Sequence, residues 1–329
     1  MIAVVILNWN GVALLQKFLP SVLQYSPEAV IYVADNASTD TSVAFLKEHF
    51  PTVKIIRNNS NYGYAQGYNE ALKFVEEDIY ALVNSDIEVT ENWLQPITQT
   101  FSHEPRTAII QPKILDYKNK SNFEYAGAAG GFIDKYGYPF CRGRIFDTIE
   151  KDKGQYNNDR KIFWASGACF FIRKETYRKL GGFDSDFFAH QEEIDLCWRA
   201  FNKGYTAKYI AASVVYHVGG ATLQQGNPQK TFLNFRNSLL MLTKNAPKSS
   251  LYSLLLTRLF LDGLAGIQFI MKGKIAHCIA IIKAHFAFYS LFKANYKKRD
   301  KFQSTKYYKI KSIVYRYYVC NGKVFGNLF

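Results

Sequence analysis

The first hundred residues alternate short apolar runs with segments of helical period, and this pattern constrains the fold more than any other feature. Four apolar runs have the length of buried strands: 2–7, 30–33, 54–57 and 79–83. Five segments have the period and length of helices: 12–24, 41–50, 67–76, 174–180 and 192–203. The alternation predicts βαβ units, and therefore an α/β protein with a mostly parallel central sheet flanked by helices.

Asn and Asp side chains follow all four predicted strands. They are Asn8 and Asn10, Asp35 and Asn36, Asn58 and Asn59, and Asn84 and Asp86. In such sheets, ligands bind at the carboxyl ends of the strands. Any one of these residues can be explained as a turn former, but four successive strand ends with the same chemistry favour a site for a polar ligand.

Composition and motifs exclude several classes of protein. With 48% hydrophobic and 16% aromatic residues, the chain of 329 residues is not disordered. The five cysteines are scattered, so neither a disulfide framework nor a zinc site is expected, and a reducing compartment is favoured. No glycine-rich phosphate loop follows the first strand, which argues against P-loop NTPases and the usual NAD enzymes. The chain opens on an apolar strand without a basic region, so no signal peptide is expected.

The positive charge is concentrated at the C-terminal end. Residues 230–329 carry 18 Lys and Arg but only two Asp, whereas residues 1–110 carry 6 basic and 12 acidic residues. Two apolar segments, 251–271 and 275–292, approach the length that spans a bilayer, but Arg258 and Asp262 interrupt the first. We interpret them as helices in the membrane interface with basic flanks on anionic headgroups. A buried helical hairpin is the alternative.

Three further features could carry chemistry. Asp86, after the fourth strand, could bind a hard cation such as Mg²⁺, and His217 could complete that site as a neutral imidazole. Glu192, Glu193 and Asp195 precede an apolar, aromatic stretch, a setting that can raise a carboxyl pKa toward that of a general base. Acidic residues in the first turn of a helix also stabilise its dipole, so a purely structural role stays open for them.

Four ordered motifs, VVILNWNG at 4–11, VADNASTD at 33–40, NNSNYGYAQGYN at 58–69 and LVNSD at 82–86, resemble those of the family 2 glycosyltransferases. The chain is most similar to the bacterial rhamnosyltransferase-like branch, which has a GT-A fold. Segments 164–168, 181–184 and 192–195 extend the likeness. The resemblance covers about residues 1–225, with a nucleotide-binding half at 1–110 and an acceptor half at 111–225. Residues 226–329 are similar to the basic, helical, membrane-associating end of that branch.

The resemblance implies an inverting transfer of a sugar from a nucleoside-diphosphate sugar, dTDP-rhamnose-like or a UDP-sugar, with Mg²⁺ or Mn²⁺. The acceptor would be lipid-linked or a polysaccharide, at the cytoplasmic face of a bacterial plasma membrane. The residues that match the motifs are Leu7, Asn8, Asn10, Asp35, Asn61, Gly63, Asn69, Asn84 and Ser85 for the nucleotide, Asp86 and His217 for the metal, Glu193 as the base with Glu192 and Asp195 beside it, and Trp164, Ser166 and Gly167 for the donor sugar and acceptor.

One position departs from the family pattern. Asn84 stands where the D-x-D motif has its first Asp, so one carboxylate is missing and metal affinity without nucleotide is expected to be low. Two other functions remain as alternatives. A sugar nucleotidyltransferase would carry a Gly-rich, Arg-containing loop after the first strand, where this chain has NWNG. A nucleic-acid-binding protein would use the basic tail, but its long apolar runs favour a bilayer, so no nucleic acid partner is expected.

Overall fold

The computed structural model describes residues 1–219 and 226–328. The strands are β1 (Ile2–Asn8), β2 (Ala29–Asp35), β3 (Lys54–Arg57), β4 (Ile79–Asn84), β5 (Ile87–Val89), β6 (Thr107–Asp116), β7 (Gly131–Ile133), β8 (Pro139–Cys141), β9 (Arg144–Ile145), β10 (Thr148–Ile149), β11 (Arg160–Ile162), β12 (Cys169–Arg173) and β13 (Thr206–His217). The α-helices are α1 (Val12–Gln24), α2 (Ser42–His49), α3 (Gly63–Ala71), α4 (Gln95–His103), α5 (Lys174–Lys179), α6 (Glu192–Asn202), α7 (Pro228–Asn245), α8 (Leu251–Met271), α9 (Ile275–Lys297) and α10 (Ile313–Tyr318).

The central sheet has the order β11-β13-β6-β12-β4-β1-β2-β3, and β5 pairs with β13. The four predicted strands are confirmed as β1 to β4, and they form a parallel block. Beyond it the sheet is mixed, because β12 lies antiparallel between β4 and β6. In register, Asn8 lies opposite Asp35, and Leu7 lies opposite Asn84. The polar strand ends therefore meet at one edge, as predicted.

Both faces of the sheet are covered, because successive side chains of a strand point to opposite faces. On β1, Val4 and Ile6 belong to the buried cluster that includes Leu15 of α1. Val5, between them, belongs to the cluster on the opposite face, which includes Tyr68 of α3. The near-continuous apolar run of β1 is explained by this burial on two sides.

A small antiparallel sheet of order β10-β9-β8-β7 is joined to the central sheet through residues 131 and 164. The ring of Trp164 packs on Gly131, where an added Cβ would lie 2.1 Å from the ring. The indole Nε1 donates to the carbonyl of Phe132 at 2.8 Å. The small sheet is thereby fixed beside the segment that leads into β12.

Helix α3 begins at Gly63, four residues before the predicted start, and it ends at Ala71. The amides of Tyr64 and Ala65 donate to the carbonyl of Phe188, at 2.9 and 3.3 Å. These two amides of the first turn are thus satisfied by a residue remote in the chain, for which the local sequence carries no signal.

The C-terminal helices pack against the α/β part of the chain that precedes them. The predicted boundary at 225/226 lies outside the described residues, since 220–225 are not described. Helix α7, which was not predicted, packs against α6 and α9. Helices α8 and α9 are long and apolar enough to cross a membrane, judged by length and composition. Their bounds match the predicted segments, except that α9 continues to Lys297.

Three polar residues that interrupt α8 and α9, Arg258, Asp262 and His285, point inward, whereas Lys283 is exposed. Arg258 and His285 lie 3.3 and 3.2 Å from the carboxylate of Asp262. Tyr138 donates to Asp262, and Arg258 donates to Ser238. The outward side of the two helices is apolar and exposed: Leu256, Phe260, Leu264, Ile267, Ile270, Ile275, Ile279, Ile282, Phe286 and Tyr289.

Candidate functional site

The loops after β1 and β2 are tied together by side-chain hydrogen bonds. The amide of Asn8, which is fully buried, donates to Asp35 at 3.3 Å and to Ser38 at 3.2 Å. The amide N–H of Ser38 donates to the other oxygen of Asp35, at 3.1 Å. Asn10 accepts from the Thr39 amide at 2.7 Å. The four matched positions at this edge, Leu7, Asn8, Asn10 and Asp35, therefore lie in one rigid unit.

A second group of amide side chains joins the ends of β2 and β3 to the start of α3. Asn58 donates to Asn36, and Asn36 donates to Asn61, both at 3.0 Å. Gly63, which follows, has φ +71°, and an added Cβ would lie 2.7 Å from the ring of Phe188. The Asn61–Gly63 turn is therefore held by Asn36 on one side and by Phe188 on the other.

Asn69 does not take part in this group. Its side chain accepts from the Phe183 amide at 2.9 Å and donates to the Phe183 carbonyl at 2.8 Å. It also accepts from the Tyr177 hydroxyl at 2.6 Å. These bonds anchor the turn at Phe183, and the contact of Asn69 with the nucleotide stays a prediction.

Asp86 and His217 lie side by side. Nε2 of His217 is 3.1 Å from Oδ1 of Asp86, and Nδ1 is 3.2 Å from Glu124. All three side chains are buried. The antiparallel pairing of β13 with β5, which sets His217 opposite Ile87, produces this arrangement. Burial acts to lower the pKa of His217, but the carboxylates of Glu124 and Asp86 outweigh it and raise that pKa to about 10.

Asp86 and His217 fit a metal ion that binds together with a phosphate ligand. Among the described residues, no group of three or more His, Cys, Asp or Glu is arranged to hold an ion by itself. Mg²⁺ characteristically takes one or two protein ligands and fills its remaining positions with water and phosphate oxygens. The carboxylate of Glu124 is placed to orient the imidazole from its other nitrogen. The proton on Nε2 has to leave before this nitrogen can bind an ion.

Asn84 and Ser85 stand between the loop after β1 and the Asp86–His217 pair. The side-chain amide of Asn84 lies 3.5 Å from Nε2 of His217. The backbone amide of Asn84 donates to the carbonyl of Ala168 at 2.9 Å. Ser85 approaches Gly11, where an added Cβ would lie 3.9 Å from its hydroxyl. The LVNSD motif therefore contacts both the loop after β1 and the segment that precedes β12.

Glu192 and Glu193 begin α6. Glu192 is buried, and Glu193 is half-buried with its Oε2 atom shielded from water. Burial raises the pKa of Glu193 to about 7. Burial and the neighbouring Glu193 raise the pKa of Glu192 well above its ordinary value. The Oε2 atom of each carboxyl has no hydrogen-bond partner within the described part of the chain. Two adjacent carboxyls in one apolar setting can therefore hold one ionised and one neutral group.

Gly167 lies directly against the carboxyl of Glu193. An added Cβ on Gly167 would be 3.6 Å from the Glu193 carboxyl carbon and 3.2 Å from the Tyr64 hydroxyl. Tyr64 donates to the Gly167 carbonyl at 2.7 Å. The next residue, Ala168, is the one that accepts from Asn84. The two-residue segment 167–168 thus joins Glu193 on one side to the LVNSD motif on the other.

Asp195, predicted beside Glu193, is committed to a buried ion network. Its carboxylate lies 2.8 Å from Arg199 and 2.8 Å from Lys244. Asn245 donates to its other oxygen at 2.8 Å. The side chain is fully buried. The predicted catalytic carboxyls thus lie on different sides of α6: Asp195 faces α7, and Glu193 faces Gly167.

Trp164 and Ser166 are also buried and internally bonded. The Ser166 amide donates to Gln111 at 2.9 Å, and its hydroxyl accepts from the Ala168 amide at 3.2 Å. The packing of Trp164 on Gly131 was described above. Both residues stabilise the segment that contains Gly167. Of the three matched positions, Gly167 is the one adjacent to a candidate catalytic side chain.

Glu124 and Tyr64 belong to the site but were not singled out from the sequence. Glu124 lies between strands, in a stretch without recognisable periodicity, and nothing in the sequence pairs it with His217. Tyr64 stands inside the NNSNYGYAQGYN motif, so it could have been found by treating the motif's aromatic residues as candidates.

Comparisons with proteins of known sequence agree with this architecture. Residues 3–181 match the profile of "Glycosyl transferase family 2". An N-acetylglucosaminyl-diphospho-decaprenol L-rhamnosyltransferase of Mycobacterium tuberculosis is 23% identical over 218 residues, which are 62% of this chain and 71% of that protein. A low-salt glycan biosynthesis hexosyltransferase of Haloferax volcanii is 21% identical over 220 residues, which are 64% of this chain and 66% of that protein.

Solved structures share the fold. GalNAc-T7, solved with UDP, GalNAc and Mn²⁺, superposes with a TM-score of 0.60 at 18% identity; the match covers 75% of this chain and 48% of GalNAc-T7, about half of its length. The mannosyltransferase PcManGT of Pyrobaculum calidifontis, solved with GDP-Man and Mn²⁺, gives 0.52 at 14% identity over 90% of this chain and 83% of that one. The family profile spans more than half of this chain, which therefore belongs to glycosyl transferase family 2 and is a glycosyltransferase with the GT-A fold.

Proposed function

We propose that this enzyme transfers a sugar from a nucleoside-diphosphate sugar to a lipid-linked or polysaccharide acceptor, with inversion at the anomeric carbon. One observation carries the proposal. The Glu193 carboxyl, whose Oε2 atom is buried, adjoins Gly167, and the next residue, Ala168, is hydrogen-bonded to the motif that ends in Asp86. A candidate base and a candidate diphosphate site thus lie on two sides of one short segment, as a direct displacement requires. Family membership argues against the sugar nucleotidyltransferase alternative.

The donor is proposed to be dTDP-rhamnose-like or a UDP-sugar. A rhamnosyltransferase among the relatives supports the first, and GalNAc-T7, solved with UDP, supports the second. The nucleobase and ribose are assigned to the unit around Asn8, Asn10 and Asp35, because hydrogen bonds within the protein hold these side chains in place. The Asn61–Gly63 turn is assigned to closing over the nucleotide. Preorganised polar groups of this kind reduce the entropic cost of binding.

Glu193 is proposed as the general base. With a pKa near 7, its carboxyl is available in the ionised form at neutral pH and still accepts a proton from the acceptor hydroxyl as that oxygen attacks. Burial and the neighbouring Glu193 raise the pKa of Glu192 well above its ordinary value, which favours its protonated form and avoids a second buried charge. The bond from the anomeric carbon to the diphosphate breaks as the new glycosidic bond forms, so the configuration inverts. Mg²⁺ or Mn²⁺, held by Asp86 and His217, would neutralise charge on the diphosphate.

The acceptor is proposed to be reached at the cytoplasmic face of a bacterial plasma membrane, where the chain binds peripherally. The exposed side of α8 and α9 is largely apolar, whereas Arg258 and Asp262 of α8 face the protein and Lys283 and Lys293 of α9 are exposed. The C-terminal region adds 18 basic residues, which match anionic headgroups in charge. The Mycobacterium tuberculosis relative is named for a decaprenol-linked acceptor, which supports a lipid-linked acceptor here.

A thermal-shift screen of nucleoside diphosphates and their sugars, each with and without Mn²⁺ or Mg²⁺, tests the proposal. A ligand at 100 times its Kd stabilises the folded state by about 2.7 kcal/mol, which is readily seen as a higher Tm. We expect one nucleotide class to stabilise the protein and to do so more strongly with metal. The absence of any response across the panel would contradict the donor assignment, and binding of oligonucleotides would then be measured.

A further inference from the structure

The segment 184–191, which leads from the end of α5 to the proposed base, has an unusual backbone. Phe188, His190 and Gln191 have φ values of 60°, 70° and 69°. Left-handed backbone of this kind in residues other than glycine costs about 1–3 kcal/mol for each residue and persists only where surrounding contacts impose it. Gln191 is the residue immediately before α6, so this geometry sets the direction in which Glu192 and Glu193 emerge.

The contacts that impose this backbone come from two adjacent residues of α7. The side-chain amide of Asn237 lies 3.0, 2.9 and 2.7 Å from the carbonyl oxygens of Phe187, Ala189 and His190. Asn237 is fully buried. Arg236 donates from Nη2 to the carbonyls of residues 186 and 187, at 2.9 and 3.2 Å. Carbonyl oxygens turned inward by the left-handed backbone thus find their donors on α7.

The same face of α7 also binds Asp184, at the start of the segment, and Asp195, in the first turn of α6 after the segment. Two turns after Asn237, Lys244 forms ion pairs with Asp184 at 2.6 Å and with Asp195 at 2.8 Å. Asn245 donates to Asp195. On its other side, the segment accepts hydrogen bonds at the Phe188 carbonyl from the start of α3. The segment therefore lies between the start of α3 on one side and α7 on the other.

We infer that Asn237 and Arg236 are positioning residues for the carboxyl pair, and that α7 is part of the catalytic apparatus although it lies beyond the residues that match the family. This inference rests on the proposed function, because it takes Glu193 as the base. The side-chain N–H groups of Asn237 and Arg236 impose the 187–190 backbone. They therefore set the position of the Glu193 carboxyl relative to the acceptor hydroxyl. Misplacement of a reacting group by about 1 Å can cost about 100-fold in rate.

Three variants test the inference: Asn237→Ala, Arg236→Ala and the control Asn295→Ala. Asn295 is a fully buried asparagine on α9 whose amide donates to the carbonyl of Leu240, at 2.6 Å, on α7. Its loss removes a buried hydrogen bond to α7 itself, one where Asn237 makes three, without touching the 184–191 segment. Hydrogen–deuterium exchange of peptides covering 184–195 is measured for all three, together with Tm, kcat and the KM for donor.

We expect Asn237→Ala and Arg236→Ala to speed exchange in 184–195 and to lower kcat about tenfold or more, with a smaller change in donor KM. Asn295→Ala is expected to lower Tm and leave both the exchange of this segment and kcat close to wild type. Equal losses of kcat in Asn237→Ala and Asn295→Ala, or unchanged exchange in both α7 variants, would overturn the inference. If Asn237→Ala does not fold, the half-buried Arg236 carries the test.

The exchange measurement separates this inference from the proposed function. Faster exchange at 184–195 with kcat unchanged would show that α7 holds the segment but that the segment does not position the base, and the inference would fail while the transferase assignment stood. Full activity of Glu193→Gln would instead remove the proposed base, whatever the exchange pattern.

Discussion

Nε2 of His217 lies 3.1 Å from Oδ1 of Asp86, although β6, β12 and the whole small sheet intervene along the chain. With Asn84 in place of a carboxylate, this pair supplies the protein's proposed ligands to the metal. The pair is buried, and the carboxylates of Glu124 and Asp86 raise the pKa of His217 to about 10, which favours a proton on the imidazole. A metal therefore competes with that proton, and binding should be strongest when diphosphate oxygens add to the site.

Asp86→Asn is expected to abolish the metal-dependent part of nucleotide binding. The amide keeps the shape of the side chain but removes the negative charge that holds a divalent cation. Titration calorimetry of the preferred nucleoside diphosphate, with and without Mn²⁺, measures the effect. Glu88→Gln is the control, since Glu88 lies two residues after Asp86, in β5, and forms a partly exposed ion pair with Lys120. Metal dependence that survives Asp86→Asn would rule out this ligand.

Glu193→Gln should lower kcat by about 100- to 10,000-fold while leaving nucleotide binding intact, because general base catalysis typically contributes that much. The variant should also be more stable than wild type at pH 8, where the fold has to bury an ionised carboxyl. Transfer assays and thermal unfolding at pH 5 and pH 8 measure both effects. A parallel loss of nucleotide affinity would assign Glu193 to binding or structure instead.

The rate should rise with pH through about 7 and then level off. Burial raises the pKa of Glu193 above its ordinary value near 4.5 to about 7, so the fold favours the protonated form, which cannot act as a base. The same shift makes this group a source of stability that is lost as pH rises from about 4.5 to about 7. The pH profile of kcat for wild type and Glu193→Gln is the measurement, and an ascending limb retained in the variant would refute the assignment.

Replacing apolar residues on the exposed side of α8 and α9 should weaken binding to anionic vesicles. Phe260 and Phe286 are 66% and 72% exposed, and burying a phenylalanine side chain in an apolar phase contributes about 1.5–3 kcal/mol. The double variant Phe260→Ser/Phe286→Ser should therefore partition about tenfold or more weakly in vesicle flotation. Phe74→Ser is the matched control, because Phe74 is 67% exposed but lies after α3, in the nucleotide-binding half.

Two results of that flotation assay would count against the membrane surface. One is equal binding of the double variant and wild type to vesicles rich in phosphatidylglycerol. The other is wild-type binding that does not depend on the anionic lipid fraction, since 18 basic residues in the C-terminal region should respond to headgroup charge.

Local sequence was sufficient for the parallel block and its helices. The apolar runs of β1 to β4 and the period of α1 are set by residues adjacent in the chain, and the structure reproduces the predicted bounds of α1 and β3. The start of α3 was predicted four residues late because the carbonyl that binds its first amides belongs to Phe188. Likewise, α7 has a mixed polar and apolar sequence whose polar face is explained only by the backbone carbonyls and the carboxylates that it contacts.

The sequence by itself determined the α/β class, the polar edge of the sheet, the family and the basic, apolar C-terminal region. Tertiary structure decided which of the matched side chains are available: Asn69 is taken up by Phe183 and Asp195 by Lys244, while Glu193 stays beside Gly167. The physical reason is that a motif specifies residue types along the chain, whereas burial, ion pairing and hydrogen-bond partners arise from segments brought together by folding. Identical carboxyl groups two residues apart can therefore differ in function.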